Sequence, residues 1–171
     1  VHRKACGPVA VLRDYHQLKN LITQGGKRDL AQMGILPSSH ADIREFIHCK
    51  DENPKALESF NISGGWTAEW LGRVDFENRP GGRPFGPETD LWWEQCESAW
   101  KTGCPGTFFP DTVNRHNPNP HLGLMNAPNP CGETPNRSDE PCLAGDALVD
   151  TADGLVPIRD LVGRAEFTVH T

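Results

Sequence analysis

The chain has 171 residues and a net charge of −6. That acidic balance gives no reason to expect a nucleic-acid or anionic-membrane partner. No apolar run approaches the roughly 20 residues of a membrane span and no signal peptide is visible, so a soluble cytoplasmic protein is expected. Six cysteines lie at 6, 49, 96, 104, 131 and 142, too scattered for a secreted disulfide scaffold. Cys96, Cys104, His116 and His121 could be assembled as a zinc site on paper, but there is no C-x₂-C pair, and no metal is expected.

Gly7-Pro8 opens a predicted helix with Val9, Leu12, Leu18, Leu21 and Ile22 on an imperfect apolar face, stopped by Gly25-Gly26. Residues 31–36 suit a buried strand. Ser38 or Ser39 is the predicted cap of the next helix, which carries Ile43, Phe46 and Ile47. His40 and His48 read as surface or capping residues. Phe60-Asn61-Ile62-Ser63 is a strand, and Thr67 caps a short helix with Trp70 and Leu71. Residues 74–87 mix charge, Gly and Pro, and read as an exposed excursion. Thr89 is the predicted cap of a helix whose apolar side is Leu91, Trp92, Cys96 and Trp100, ended by Gly103. The tryptophans at 70, 92, 93 and 100 read as packing residues. Thr107-Phe108-Phe109 is a further buried strand, and the Asn-Pro steps at 117–120 form a stiff turn series.

The chemistry concentrates at Asn129-Pro130-Cys131-Gly132-Glu133. In an extended segment, side chains two apart point the same way, so Asn129, Cys131 and Glu133 would converge on one spot. Pro128 and Pro130 disfavour helix, and Gly132 allows the backbone close to a ligand. A carboxamide, a thiol and a carboxylate then share one short loop. The alternative is a buried cysteine in a Pro-rich turn, since free Cys often serves as a small hydrophobe.

Several stretches in order carry a family resemblance. They are Gly7-Pro8-Val9 with Gln24-Gly25-Gly26-Lys27-Arg28, and His40-x-Asp42-Ile43-x-Glu45-Phe46-Ile47 with Lys50 and Phe60-Asn61-Ile62-Ser63. Thr102-Gly103-Cys104-Pro105-Gly106-Thr107-Phe108-Phe109-Pro110-Asp111 follows, then Asn114, Asn117-Pro118-Asn119-Pro120-His121-Leu122-Gly123, and the Asn-Pro-Cys-Gly-Glu loop. Together they resemble the catalytic subunit of ribonucleotide reductases, above all the adenosylcobalamin-dependent (class II) type. The resemblance implies an α/β fold, part of a ten-stranded α/β barrel with the loop at the tip of an internal finger. A complete barrel of that type needs several hundred residues, so a piece of one is expected. The resemblance carries Cys131 over as the thiyl-radical site and Glu133 as the base for the ribose 3′-hydroxyl. Asn129 becomes a substrate hydrogen-bonding residue, and Cys6 and Gly7 would border the substrate base. It also implies adenosylcobalamin as cofactor, a ribonucleoside di- or triphosphate substrate, a nucleotide effector and a thioredoxin-like reductant. A class I large subunit is the alternative; it would use a tyrosine chain, and Tyr15 is the only tyrosine here. Two departures bear on strand packing: Asp29-Leu30 stands where the family usually has Arg-Gly, and Gly64-Gly65 where a β-branched residue is common.

Glu140-Pro141-Cys142 also matches the reductases, whose downstream cysteine belongs to the redox pair. The sequence then switches to Leu143-Ala144-Gly145-Asp146-Ala147-Leu148-Val149, with Gly154 and Ile158-Arg159-Asp160-Leu161-Val162-Gly163 beyond. This looks like the N-terminal block of an intein, an all-β Hint domain. Residues 1–141 would then be the barrel fragment and 142–171 the start of the intein. Short strands are expected through 147–149 and 167–169, with a turn at Asp153-Gly154. Cys142 can thus be read as an intein nucleophile attacking the Pro141 carbonyl, as a reductase redox thiol, or as a structural thiol. The first reading implies the rest of the intein and a C-extein as partners. A split-intein half acting in trans and an inert truncation are the alternatives.

Overall fold

The computed structural model describes residues 6–18, 31–76, 86–137 and 148–161. Gln32–Pro37 forms β1, Phe60–Gly65 β2 and Gly106–Phe108 β3, a parallel sheet in the order β1-β2-β3. Parallel neighbours need a long crossover. Between β1 and β2 it contains α2 (Ile43–His48); between β2 and β3 it contains α3 (Ala68–Leu71) and α4 (Pro87–Thr102). α1 (Pro8–Gln17) precedes β1, and α5 (Pro110–Arg115) follows β3. The run 19–30, with the predicted end of the first helix and Asp29-Leu30, lies outside the described residues.

The sheet has two unlike faces. Leu36, Phe60 and Ile62 are buried with Val9, Ile43, Phe46, Ile47, Leu57, Trp66, Trp70 and Leu91 in one core. A Cβ on Gly34 would touch the Leu12 side chain of α1 at 3.3 Å, and one on Gly64 would meet Gln95 of α4. Even-numbered positions of β1 and β2 therefore face the helices, and Met33, Ile35, Asn61 and Ser63 face the other way. The core is aromatic at one end: Trp66 lies edge-on to Trp70 at 4.5 Å and to Trp92 at 5.1 Å.

Gly64-Gly65 does not interrupt the strand. Gly64 is required because a Cβ there would lie 2.2 Å from Gln95 Oε1 and 2.7 Å from Trp66 Nε1. Those two groups form a buried hydrogen bond of 3.0 Å, and Gln95 Nε2 donates on to Thr107 Oγ1 at 3.3 Å. The glycine makes room for polar groups that satisfy one another under the sheet.

Three helix expectations need correction. The cap of α2 is Asp42, not Ser38 or Ser39, and its backbone N–H donates to His40 Nδ1 at 3.1 Å. Gly86 and Pro87 open α4; Thr89 lies inside the helix, buried, and its Oγ1 accepts from Asp75 N–H at 2.9 Å. The buried side of α4 is Leu91, Gln95 and Ser98, while Trp100 is 90% exposed and packs nothing inside. Gln95 and Ser98 can be buried because each has partners: the Ser98 hydroxyl reaches Ile47 O at 3.1 Å, Cys104 O at 3.2 Å and the Asp51 carboxylate. Thr67 caps α3 as expected, accepting from Trp70 N–H at 3.2 Å, and Gly103 ends α4 with φ of 78°.

The chain divides into two compact units, Val1–Ser138 and Asp139–Thr171. In the second, β6 (Leu148–Thr151) and β7 (Gly154–Pro157) form an antiparallel hairpin, followed by a 3₁₀ turn at Ile158–Leu161. Gly154, with φ of 93°, closes the two-residue loop, and Thr151 Oγ1 accepts from Asp153 N–H at 3.2 Å. Cys142 and the expected strand at 167–169 lie outside the described residues.

Candidate active site

β4 (Ala127–Pro128) and β5 (Pro135–Asn136) pair antiparallel and carry the Asn-Pro-Cys-Gly-Glu loop at their tip. Two residues per strand are too few to hold a hairpin by ladder bonds alone. Side chains from outside supply the rest. Asn114 of α5 grips Met125 on both sides: its Oδ1 accepts from Met125 N–H at 2.8 Å and its Nδ2 donates to Met125 O at 3.0 Å. Asn117 Nδ2 donates to Gly123 O at 2.9 Å, which folds the Asn-Pro segment on itself. Asp111 of α5 in turn accepts from Ala68 N–H at 2.6 Å, tying α5 to the first turn of α3.

The loop itself is a turn, not an extended strand. Gly132 N–H donates to Asn129 O at 2.9 Å, and Gly132 has φ of 87°. Pro130 occupies the second turn position, where its fixed φ fits. The period-two argument therefore fails for Asn129, Cys131 and Glu133. Asn129 is buried at the base, where its Oδ1 accepts from Thr134 N–H at 3.0 Å and its N–H donates to Thr134 O at 3.0 Å. Cys131 and Glu133 are exposed at the tip.

Cys131 lines a pocket of about 360 Å³ together with Met33, Asn61, Ser63, Cys104 and Thr107. The lining comes from β1, β2 and β3, from the approach to β3 and from the loop itself. Asn129 and Glu133 are not among the lining residues. Cys6 is exposed ahead of α1, a Cβ on Gly7 would lie 3.6 Å from Oδ2 of Asp42, the cap of α2, and neither residue is among those lining the pocket.

Three participants were missed in the sequence. Asn61 Nδ2 donates to Pro130 O and so joins β2 to the loop tip. Lys50 is buried, donates to Phe60 O, and lies 3.7 Å from Cys104 Sγ. Cys104, weighed above only as a zinc ligand, faces the same pocket as Cys131. Among the described residues, no three of His, Cys, Asp and Glu come together as a metal site. Burial pushes the Cys49 thiol up to about 11, against the pull of Lys50. Burial also opposes ionisation of Asp51, but hydrogen bonds from Ser98 and His48 outweigh it and hold that carboxyl below its ordinary range.

Comparison with known proteins places this geometry. The ribonucleotide reductase barrel-domain family matches residues 1–75 and 86–153. The vitamin B12-dependent ribonucleoside-diphosphate reductase of Thermoplasma acidophilum is 38% identical over 151 residues, covering 82% of this chain and 19% of that protein. The enzyme of the same description from Mycobacterium tuberculosis is 38% identical over 149 residues, covering 82% and 22%. The ribonucleoside-diphosphate reductase large subunit of Invertebrate iridescent virus 6 is 27% identical over 184 residues, covering 94% and 18%. The chain thus spans about a fifth of the length of these curated relatives. With that family matched over most of its length, the chain belongs to the ribonucleotide reductase barrel-domain family.

Proposed function

We propose that the whole protein is an adenosylcobalamin-dependent ribonucleotide reductase and that Cys131 is its radical thiol. The observation that carries this is the exposed Cys131 at the tip of a tethered turn, lining a pocket beside the sheet. A volume of about 360 Å³ lies in the range of small-ligand sites, roughly 300–1,000 Å³, with room for part of a nucleotide but not a corrin. At this pocket, what the chain would offer the cofactor is the thiol of Cys131. When bound, adenosylcobalamin supplies the one-electron chemistry that converts a thiol to a thiyl radical.

Cys131, as thiyl, would take the ribose 3′-hydrogen. Glu133 would accept the proton of the 3′-hydroxyl, an effect worth about 10²–10⁴-fold. The 2′-hydroxyl would leave as water. Two thiols would supply the two electrons and two protons, closing to a disulfide, with a thioredoxin-like protein restoring them. Asn129 spends Oδ1 inside the loop, so the ribose would meet its Nδ2 donors. Cys6 and Gly7, which do not line this pocket, would border the base outside it, at the start of α1. Either a di- or a triphosphate would satisfy this chemistry, and a nucleotide effector would set base preference. The B12-dependent relatives favour this class over a class I large subunit, and a cytoplasmic site suits its substrates.

In the full-length enzyme, Cys131→Ser abolishes deoxynucleotide formation while the substrate still binds. Measurable turnover by that variant would falsify the assignment.

An intein beginning at Cys142 remains part of the proposal. The break after Glu140-Pro141-Cys142 supports it, as does the β6–β7 hairpin with its Gly154 turn. Cys142 would attack the Pro141 carbonyl and convert the amide to a thioester, with the remaining intein and a C-extein completing the transfer. The family match extends to residue 153, so the reductase redox thiol is the competing role for Cys142. A split-intein half or an inert truncation would share the same residues. The coding sequence past Thr171 decides: a Thr-x-x-His block, a terminal Asn and a second nucleophile are expected, with a mature mass lacking only the segment from Cys142 to that Asn. A reductase sequence continuing past Thr171 with none of those intein elements would remove the intein.

A further inference from the structure

Asn61 is the second residue of β2 and points from the sheet face opposite the helix core. Its Nδ2 donates to Pro130 O. That carbonyl belongs to the peptide unit whose nitrogen is Cys131, so fixing it fixes the plane from which the Cys131 side chain departs. The other tethers act elsewhere. Asn114 holds Met125 below the hairpin, and Asn129 closes the loop on itself. Among the described residues, Asn61 is the one whose side chain ties the sheet to the loop tip, and it lines the same pocket as Cys131.

We propose that Asn61 is a positioning residue for the radical thiol, setting the Cys131 peptide against β2 so that the sulfur is held at the pocket. This rests on the reading of Cys131 as the reacting thiol. A carboxamide is suited to the place because the partner is a carbonyl oxygen, which needs a donor. Aspartate has the same shape but presents an oxygen to an oxygen. Misplacing a reacting group by about 1 Å can cost on the order of 10²-fold in rate.

The test uses the full-length reductase with Asn61→Asp, Asn61→Ala and, in parallel, Cys131→Ser. Asn61→Asp is expected to lower kcat about 10²-fold and Asn61→Ala about 10-fold, each with KM within about twofold of the parent. A second readout needs neither cofactor nor turnover. Iodoacetamide labelling of Cys131, followed by peptide mass mapping, should change at least about threefold in Asn61→Asp, with labelling of Cys49 and the melting temperature unchanged. Parental kcat and parental Cys131 labelling in both Asn61 variants, beside an inactive Cys131→Ser, would overturn the positioning role alone. So would a kcat loss matched by a fall in melting temperature and faster labelling of every cysteine, which describes general loosening. Turnover by Cys131→Ser would instead remove the reading on which the proposal rests.

Discussion

The two faces of the three-stranded sheet are held by different forces. The even-numbered face is sealed by helices and tryptophans, and its polar groups are buried in mutual hydrogen bonds. The odd-numbered face carries a pocket and a hairpin of two-residue strands, fixed by asparagine side chains to backbone atoms. The first face supplies stability through area and packing density. The second supplies position through a few directed bonds, each worth only about 0.5–1.5 kcal/mol. Substitutions on the two faces should therefore fail in different ways.

The largest effect is expected at Gly64. Gly64→Val drives a branched side chain into Gln95 and Trp66 and should cost about 3 kcal/mol or more, read as a fall in urea midpoint. A loss under 1 kcal/mol would mean that the face is less tightly packed than the 2.2 Å approach requires. Asn114→Ala comes next, at about 1–2 kcal/mol. Its signature should be local: faster proteolysis within 116–126, with the urea slope unchanged.

A smaller effect is expected from pH. The folded-state value of Cys49 is raised from 9.0 to about 11, so its contribution to stability is fully present below pH 9 and is lost as pH climbs through 11. The difference in urea midpoint between the parent and Cys49→Ser should therefore shift between pH 8.5 and 11 and stay constant below that window. The smallest effect is Cys131→Ser. Its side chain is exposed, so stability should stay within about 0.5 kcal/mol while the activity proposed for the full-length protein is lost. A destabilised Cys131→Ser would make the thiol a packing residue and erase the contrast between the faces.

Strands were legible at 31–36 and 60–63, and so were helix ends marked by Gly103 or Thr67; the buried strand expected at 107–109 is instead Gly106–Phe108, with only Phe108 buried and Phe109 exposed as the cap of α5. The loop bearing Cys131 was legible from its residue types and from the motifs around it. Its shape was not: alternation assumes an extended chain, whereas the Gly132–Asn129 hydrogen bond bends it. The buried side of α4 was missed for a related reason. Gln95 and Ser98 are polar and fall outside the apolar side read at Leu91, Trp92, Cys96 and Trp100, because the partners that let them be buried, Trp66 and Ile47, are 29 and 51 positions away. Asn61 and Lys50 gave no local signal, since the atoms they hold, Pro130 O and Cys104 Sγ, are 69 and 54 positions away.

The internal closure of Asn129 has a consequence for timing. Because Oδ1 and the backbone of one residue bind both Thr134 N–H and Thr134 O, the turn is complete before any nucleotide arrives. The entropy of ordering it is settled when the protein folds rather than on binding. On the role proposed above for Cys131, its sulfur would be carried by a turn that the chain closes for itself.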